Sequence, residues 1–131
     1  MKLESTKVSI DKSDQEVFNF LTNVENFESL MPENISKFKL IDAETFLFAL
    51  SGMPEIVLKK KSMEVPHTIV LGAAGGKIDF SLTAKIESLT ETQSNVQLTF
   101  EGDFNTMMAM MIKAPITKFI ETLVLNIPKE V

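Results

Sequence analysis

Asn105-Thr106-Met107-Met108-Ala109-Met110-Met111-Ile112-Lys113-Ala114-Pro115-Ile116-Thr117-Lys118-Phe119-Ile120-Glu121-Thr122-Leu123-Val124-Leu125-Asn126-Ile127 reads as one long helix, because its apolar side chains recur at helical rather than strand spacing. These 23 residues would span roughly 34 Å at 1.5 Å per residue, enough to lie across a whole sheet. Asn105 or Asp103 is placed to cap it. Lys113, Thr117, Lys118, Glu121 and Asn126 supply only a narrow polar stripe, so the helix is covered on most sides or faces something other than water. Pro115 removes one backbone hydrogen bond and crowds the preceding turn, which predicts a kink.

Upstream of this helix the hydrophobic period is 2, and it stays so from Ile35 for nearly seventy residues. Strands are expected at Ile35 to Ile41, Thr45 to Ser51, Glu55 to Met63 and His67 to Leu71, with turns at Asp42-Ala43, Gly52-Met53-Pro54 and Pro66. Gly72-Ala73-Ala74-Gly75-Gly76 reads as a hairpin loop. The clearest alternation follows it, with Ile78, Phe80, Leu82, Ala84 and Ile86 on one face and Lys77, Asp79, Ser81, Thr83, Lys85 and Glu87 on the other. Val96, Leu98 and Phe100 alternate in the same way with Gln97, Thr99 and Glu101. Strands with one wet face are the mark of an antiparallel sheet covered on one side.

The chain opens with a weakly alternating strand, Lys2 to Ile10, and a helix start at Ser13, where Glu16 three residues on completes a capping box. Val17, Phe20, Leu21 and Val24 then share one helical face. A second short helix, Val24 to Met31, is stopped by Pro32. The order is strand, two short helices, strand meander and long helix. It predicts one α+β domain over residues 1–131, a curved antiparallel sheet of six to seven strands wrapped around the C-terminal helix, with a space between them whose size depends on the side chains.

Composition narrows the function. The chain has 131 residues, no Cys and a net charge of −5, and all 13 of its basic residues are Lys. Disulfides and thiolate metal sites are excluded. Without Arg there is no bidentate fork for phosphate or guanine, so nucleic acid is not an expected partner. One His and scattered carboxylates give no metal-ligand spacing, and no cofactor is expected. The first residues lack the apolar run of a signal peptide, and no window approaches the ~20 apolar residues of a membrane span, so a cytoplasmic location is expected.

Two segments carry a family resemblance: Glu16-Val17-Phe18-Asn19-Phe20-Leu21-Thr22-Asn23-Val24-Glu25-Asn26-Phe27-Glu28-Ser29-Leu30-Met31-Pro32, and the approach Phe100-Glu101-Gly102-Asp103-Phe104 to a proline-bearing last helix. With the element order, they resemble the START-like helix-grip superfamily of pollen-allergen proteins, polyketide cyclases and coenzyme Q-binding proteins. The resemblance implies a sheet gripping the last helix and an elongated apolar cavity for lipids, sterols, quinones or polyketides. It also implies a glycine-bearing loop at the cavity mouth. The chain departs from the more catalytic members in having no Tyr, Trp or Arg.

Among individual residues, the Met107, Met108, Met110 and Met111 cluster is the most suggestive, because flexible, polarizable side chains suit a surface that adapts to varied apolar shapes. Core packing explains it equally well. The expected ligand walls are Met108, Met111, Ile112, Pro115 and Phe119 on the helix and Phe46, Phe48, Phe80, Leu82 and Phe100 on the sheet. His67 is the default acid or base if the protein is an enzyme, although no partner is fixed beside it by spacing. Lys59-Lys60-Lys61 reads as lysine protection of an edge strand, or as a charge at the cavity mouth. The leading expectation is a noncatalytic binding or carrier domain for a small apolar molecule. A polyketide cyclase- or dehydratase-like enzyme, and a ligand-free interaction module that pairs with a protein or its own twin as a homodimer, are the alternatives.

Overall fold

The structure, a computed structural model, describes residues 1–74 and 79–131. Eight antiparallel strands form one sheet: β1 (Lys2–Glu4), β2 (Val8–Ile10), β3 (Ile35–Asp42), β4 (Thr45–Leu50), β5 (Ile56–Glu64), β6 (Thr68–Ala73), β7 (Phe80–Thr90) and β8 (Gln93–Gly102). Their order is β1-β8-β7-β6-β5-β4-β3, with β2 also paired to β8. Helices α1 (Asp14–Thr22) and α2 (Phe27–Leu30) follow β2, and α3 (Thr106–Glu130) closes the chain. No helix among the described residues is long and apolar enough to cross a membrane.

The sheet has eight strands rather than six or seven because the opening strand is broken at Ser5. There the backbone N–H of Ser5 donates to the Leu98 carbonyl (2.8 Å), while the Ser5 hydroxyl accepts from Leu98 N–H (2.9 Å) in place of a main-chain carbonyl. The link between β1 and β2 is held to α3 by Glu121, whose two carboxylate oxygens accept from Thr6 N–H (2.9 Å) and Thr6 Oγ1 (2.7 Å).

The N-cap half of the capping box forms, with Ser13 Oγ accepting from Glu16 N–H at 3.2 Å, but the Glu16 carboxylate accepts from the Ser13 hydroxyl (3.3 Å) rather than from its backbone N–H. The segment Val24 to Met31, expected as a single helix, is instead a 3-10 turn at Val24–Asn26 and the one-turn α2. The Asn26 amide donates back to the Phe20 carbonyl (2.8 Å), and Met31 is already extended ahead of Pro32.

Rungs of apolar side chains cross the inner face of the sheet. Leu3, Phe100, Leu82 and Leu71 are paired in register from β1 through β8 and β7 to β6, and all four are buried. The outer face of β7 carries exposed Lys85 and Glu87. The second half of α3 completes the core with Ile116, Phe119, Ile120, Leu123, Val124 and Ile127, each 4% exposed or less. Asn126 ties it to α2 by donating to the Leu30 carbonyl at 3.0 Å.

Two local expectations are corrected. Gly72 is a residue of β6, not of a loop: a side chain there would press on the stem of Lys61, whose Cγ would lie 2.8 Å from it. The hairpin assignment of Gly75 and Gly76, and the facing of Lys77 and Ile78, lie outside the described residues. The Lys59-Lys60-Lys61 strand is not an edge, because the sequential meander seats β5 between β4 and β6. Lys60 instead reaches α1, donating to the Thr22 carbonyl at 3.0 Å. A cation there meets the negative end of the helix.

Candidate functional site

An antiparallel meander sorts its connections to two ends. The β4–β5 turn, the end of β6, the start of β7 and the β8–α3 junction share one end, and the β3–β4, β5–β6 and β7–β8 turns share the other. At the first end six apolar side chains are only half-buried, Met53, Ile56, Phe80, Phe104, Met108 and Ile112, although Leu50 at the end of β4 is buried. Gly52 makes the β4–β5 turn possible, adopting φ +82°.

Gly102 shapes this end most directly. A Cβ on it would strike the Phe104 ring and come within 2.9 Å of Phe80 Cβ, so only glycine lets the chain fold Phe104 back over the sheet. Phe104 then stacks with Phe100 (centroids 6.0 Å apart) and Phe80 (6.5 Å), and Phe80 stacks with Phe100 (5.8 Å). At the next residue, Asn105 Oδ1 accepts from Met108 N–H at 2.9 Å and starts α3. Phe104 is a wall residue that the sequence reading misses, although the Phe-x-Gly-x-Phe spacing in front of the cap is visible in the chain.

The residues expected to line a cavity fall into three groups. Phe80 and Phe100 belong to the trio just described, with Leu82 beside Phe100 in register. Phe46, Phe48 and Phe119 form a filled stack: Phe48 lies 4.8 Å from Phe119 and 6.0 Å from Phe46, and Phe46 also stacks on Phe27 (5.3 Å) and Phe38 (5.5 Å). The spacing of Phe27 in its short helix marks it as buried; Phe38 gives no such signal.

On α3, Met108, Ile112 and Pro115 are half-buried and share a face with Phe119. Met111 was expected beside them and is instead 69% exposed. At about 100° per residue it stands roughly 80° around the helix from Phe119, whereas Met108 and Ile112 stand within about 20° of it. Met107 and Met110 point away from the sheet, 73% and 77% exposed.

His67 lies at the opposite end, in the β5–β6 turn, with a 59% exposed side chain. Its Nε2 is 3.5 Å from Asp14 Oδ2 in the first turn of α1, a partner that sequence spacing could not reveal. His67, Lys7, Lys85 and Glu87 border a recess of about 650 Å³. Among the described residues, no group of three His, Cys, Asp or Glu side chains could hold a metal ion.

No family model matches the chain, and no curated protein matches it. Solved structures do. Norcoclaurine synthase from Thalictrum flavum superposes with a TM-score of 0.76 at 10% identity, over 98% of this chain and 84% of that one. A protein of Thermus thermophilus gives 0.76 at 9% identity, over 99% and 96%. An uncharacterised protein of Bacillus thuringiensis gives 0.65 at 9% identity, over 97% and 98%. Norcoclaurine synthase has also been solved in complex with dopamine and hydroxybenzaldehyde. At these identities the likeness is one of fold.

Proposed function

We propose, from the START-like helix-grip fold that this chain adopts, that the protein binds a small apolar molecule between the sheet and the first half of α3. The observation that carries the reading is the set of half-buried, inward apolar side chains gathered at one end of the grip, Met53, Ile56, Phe80, Phe104, Met108 and Ile112. Along the second half of α3 the inward helix face is filled. Apolar side chains left half in water gain about 25 cal/mol for each Å² that a ligand covers, so ligand burial there is favourable and depends little on salt. The methionines adapt to the ligand's outline, and the rings supply flat walls without hydroxyl groups. Such a site selects by shape and apolarity, as expected for a lipid, quinone or polyketide-like compound.

A carrier function follows more naturally than catalysis. His67 is at the far end of the sheet from this mouth and largely in solvent, so a cyclase or dehydratase working in the grip would need another acid or base.

The test uses the absence of Trp and Tyr, which leaves the polypeptide nearly dark in the near ultraviolet. Protein purified natively from its own host is scanned for absorption, extracted with organic solvent and analysed by mass spectrometry. A stoichiometric apolar compound in the extract, lost from an Ile112→Glu variant that still unfolds cooperatively, is the expected result. An empty wild-type protein that also fails to bind 1-anilinonaphthalene-8-sulfonate would overturn the reading.

A further inference from the structure

Of the methionine run at the start of α3, only Met108 turns toward the mouth, where it is half-buried. Met107, Met110 and Met111 take part neither in the core nor in the mouth. They are the three most exposed large apolar side chains among the described residues. Methionine ordinarily belongs to the buried residue types. What these three present to solvent, and a leucine or isoleucine in their place would not, is a thioether sulfur with lone pairs to donate.

Their positions bring the sulfurs together. Met110 and Met111 lie three and four residues after Met107, so both are its neighbours on the helix surface, with Cβ atoms about 5–6 Å from its own. At about 100° per residue, Met110 stands roughly 60° to one side of Met107 and Met111 roughly 40° to the other. Long helical side chains lean toward the N-terminus, which carries Met110 and Met111 back over the turn that Met107 occupies. Three flexible, unbranched side chains can therefore close their sulfurs on one point above that turn.

We infer that Met107, Met110 and Met111 form a three-thioether site for a soft monovalent metal ion, Cu(I). Thioether sulfur favours Cu(I), whereas Ca²⁺ and Mg²⁺ require oxygen ligands. The surroundings make the same selection. From Thr106 to Ala114 the chain has no Asp, Glu or His, so no hard donor accompanies the sulfurs along the helix. The N-terminal end of α3 carries the positive end of the helix dipole, which opposes any cation held by charge alone. A metal kept here is kept by bonds from sulfur. The first charged residue of the helix, Lys113, stands about 120° around it from Met107 and so flanks the cluster rather than entering it. A thioether has no proton to lose on binding, so the affinity, unlike that of a histidine or carboxylate site, does not fall in mild acid. The site leaves the inward face of α3 free and stands independently of the ligand proposed for the mouth.

The test is a titration of the full chain, with isotope-labelled methionine methyl groups, by Ag(I), the redox-inert stand-in for Cu(I). It is run by NMR in chloride-free buffer at about pH 5 and about pH 7, the range in which histidine sites change charge. The expected result is saturation at one equivalent, with shifts at Met107, Met110 and Met111 and the same affinity at both pH values. Met110→Leu, an exposed site where a side chain of similar size and helix propensity leaves the fold intact, should raise the dissociation constant about tenfold or more. Met63, exposed but alone on β5, is the internal control and should stay unmoved at one equivalent. Cu(I), kept reduced by ascorbate under nitrogen, should move the same three methyl groups. The inference is overturned by a chain that shows no shifts, by a response at Met63 equal to that of the cluster, or by an affinity lost at the lower pH. Indifference to Met110→Leu, or Cu(I) that leaves the three methyl groups unmoved, would overturn it equally.

Discussion

The two halves of α3 are one helix built of similarly apolar residues, yet they have opposite environments. From Ile116 to Ile127 every inward side chain is 4% exposed or less, packed on α2, β2 and the phenylalanine stack. From Thr106 to Pro115 none is buried: Met108 and Ile112 are half-covered, and Met107, Met110 and Met111 are in water. The difference follows from what the rest of the chain supplies. The second half is faced by α2, β2 and the Phe48 ring that stacks on Phe119, whereas the first half follows a sheet end walled mainly by Phe80, Phe100 and Phe104. Total apolarity is therefore a poor guide to where a core ends, and partner supply decides it. The filled half holds the fold, and the unfilled half is free to hold something else.

This contrast can be broken at several points. Removing a ring from the filled stack has the largest effect: Phe46→Ala, fully buried against three other rings, should cost about 3–5 kcal/mol in urea unfolding. Gly102→Ala comes next. Its Cβ must displace Phe104 or Phe80, so a loss of about 1–3 kcal/mol is expected, with weaker binding of apolar probes because the mouth is reshaped. Glu121→Ala frees the β1–β2 link and should cost about 1–2 kcal/mol, checked by faster amide exchange at Thr6. Ile112→Ala, in the unfilled half, should cost only about 1 kcal/mol while reducing ligand uptake. A cost as large as that of Phe46→Ala would erase the distinction between the halves.

The smallest effect is one of pH. The Asp42 carboxylate accepts from Glu44 N–H at 2.9 Å, and this bond, with another from the Thr45 hydroxyl, holds its pKa below the usual carboxylate value. A depressed carboxyl contributes stability that is present above its unfolded pKa and lost as pH falls through the folded one. Asp42→Asn should therefore slightly flatten the acid limb of the stability curve, with only a small loss of stability at neutral pH, as read by urea unfolding across the acid range.

Much of the architecture was legible from periodicity, because the burial of one sheet face and one helix face is written directly into spacings of 2 and 3.6. The β7 alternation of Leu82, Ala84 and Ile86 and the caps at Ser13 and Asn105 are of this kind. Features set by distant partners were not. The break at Ser5 depends on Leu98, the reach of Lys60 depends on the end of α1, and the Asp14–His67 pair joins two elements that share no pattern. Met111 was misplaced for a different reason: four methionines in five residues cannot all share one face, and composition alone does not say which turns inward.

The central claim, that the unfilled end of the grip is the ligand site, is tested most directly by NMR of the methionine methyl groups. The eight methionines sample both ends of the sheet. On titration with 1-anilinonaphthalene-8-sulfonate, the account predicts saturable shifts at Met53 and Met108, beside the mouth, and none at Met63, at the β5–β6 end. Shifts at Met63 with Met53 and Met108 unmoved would contradict it.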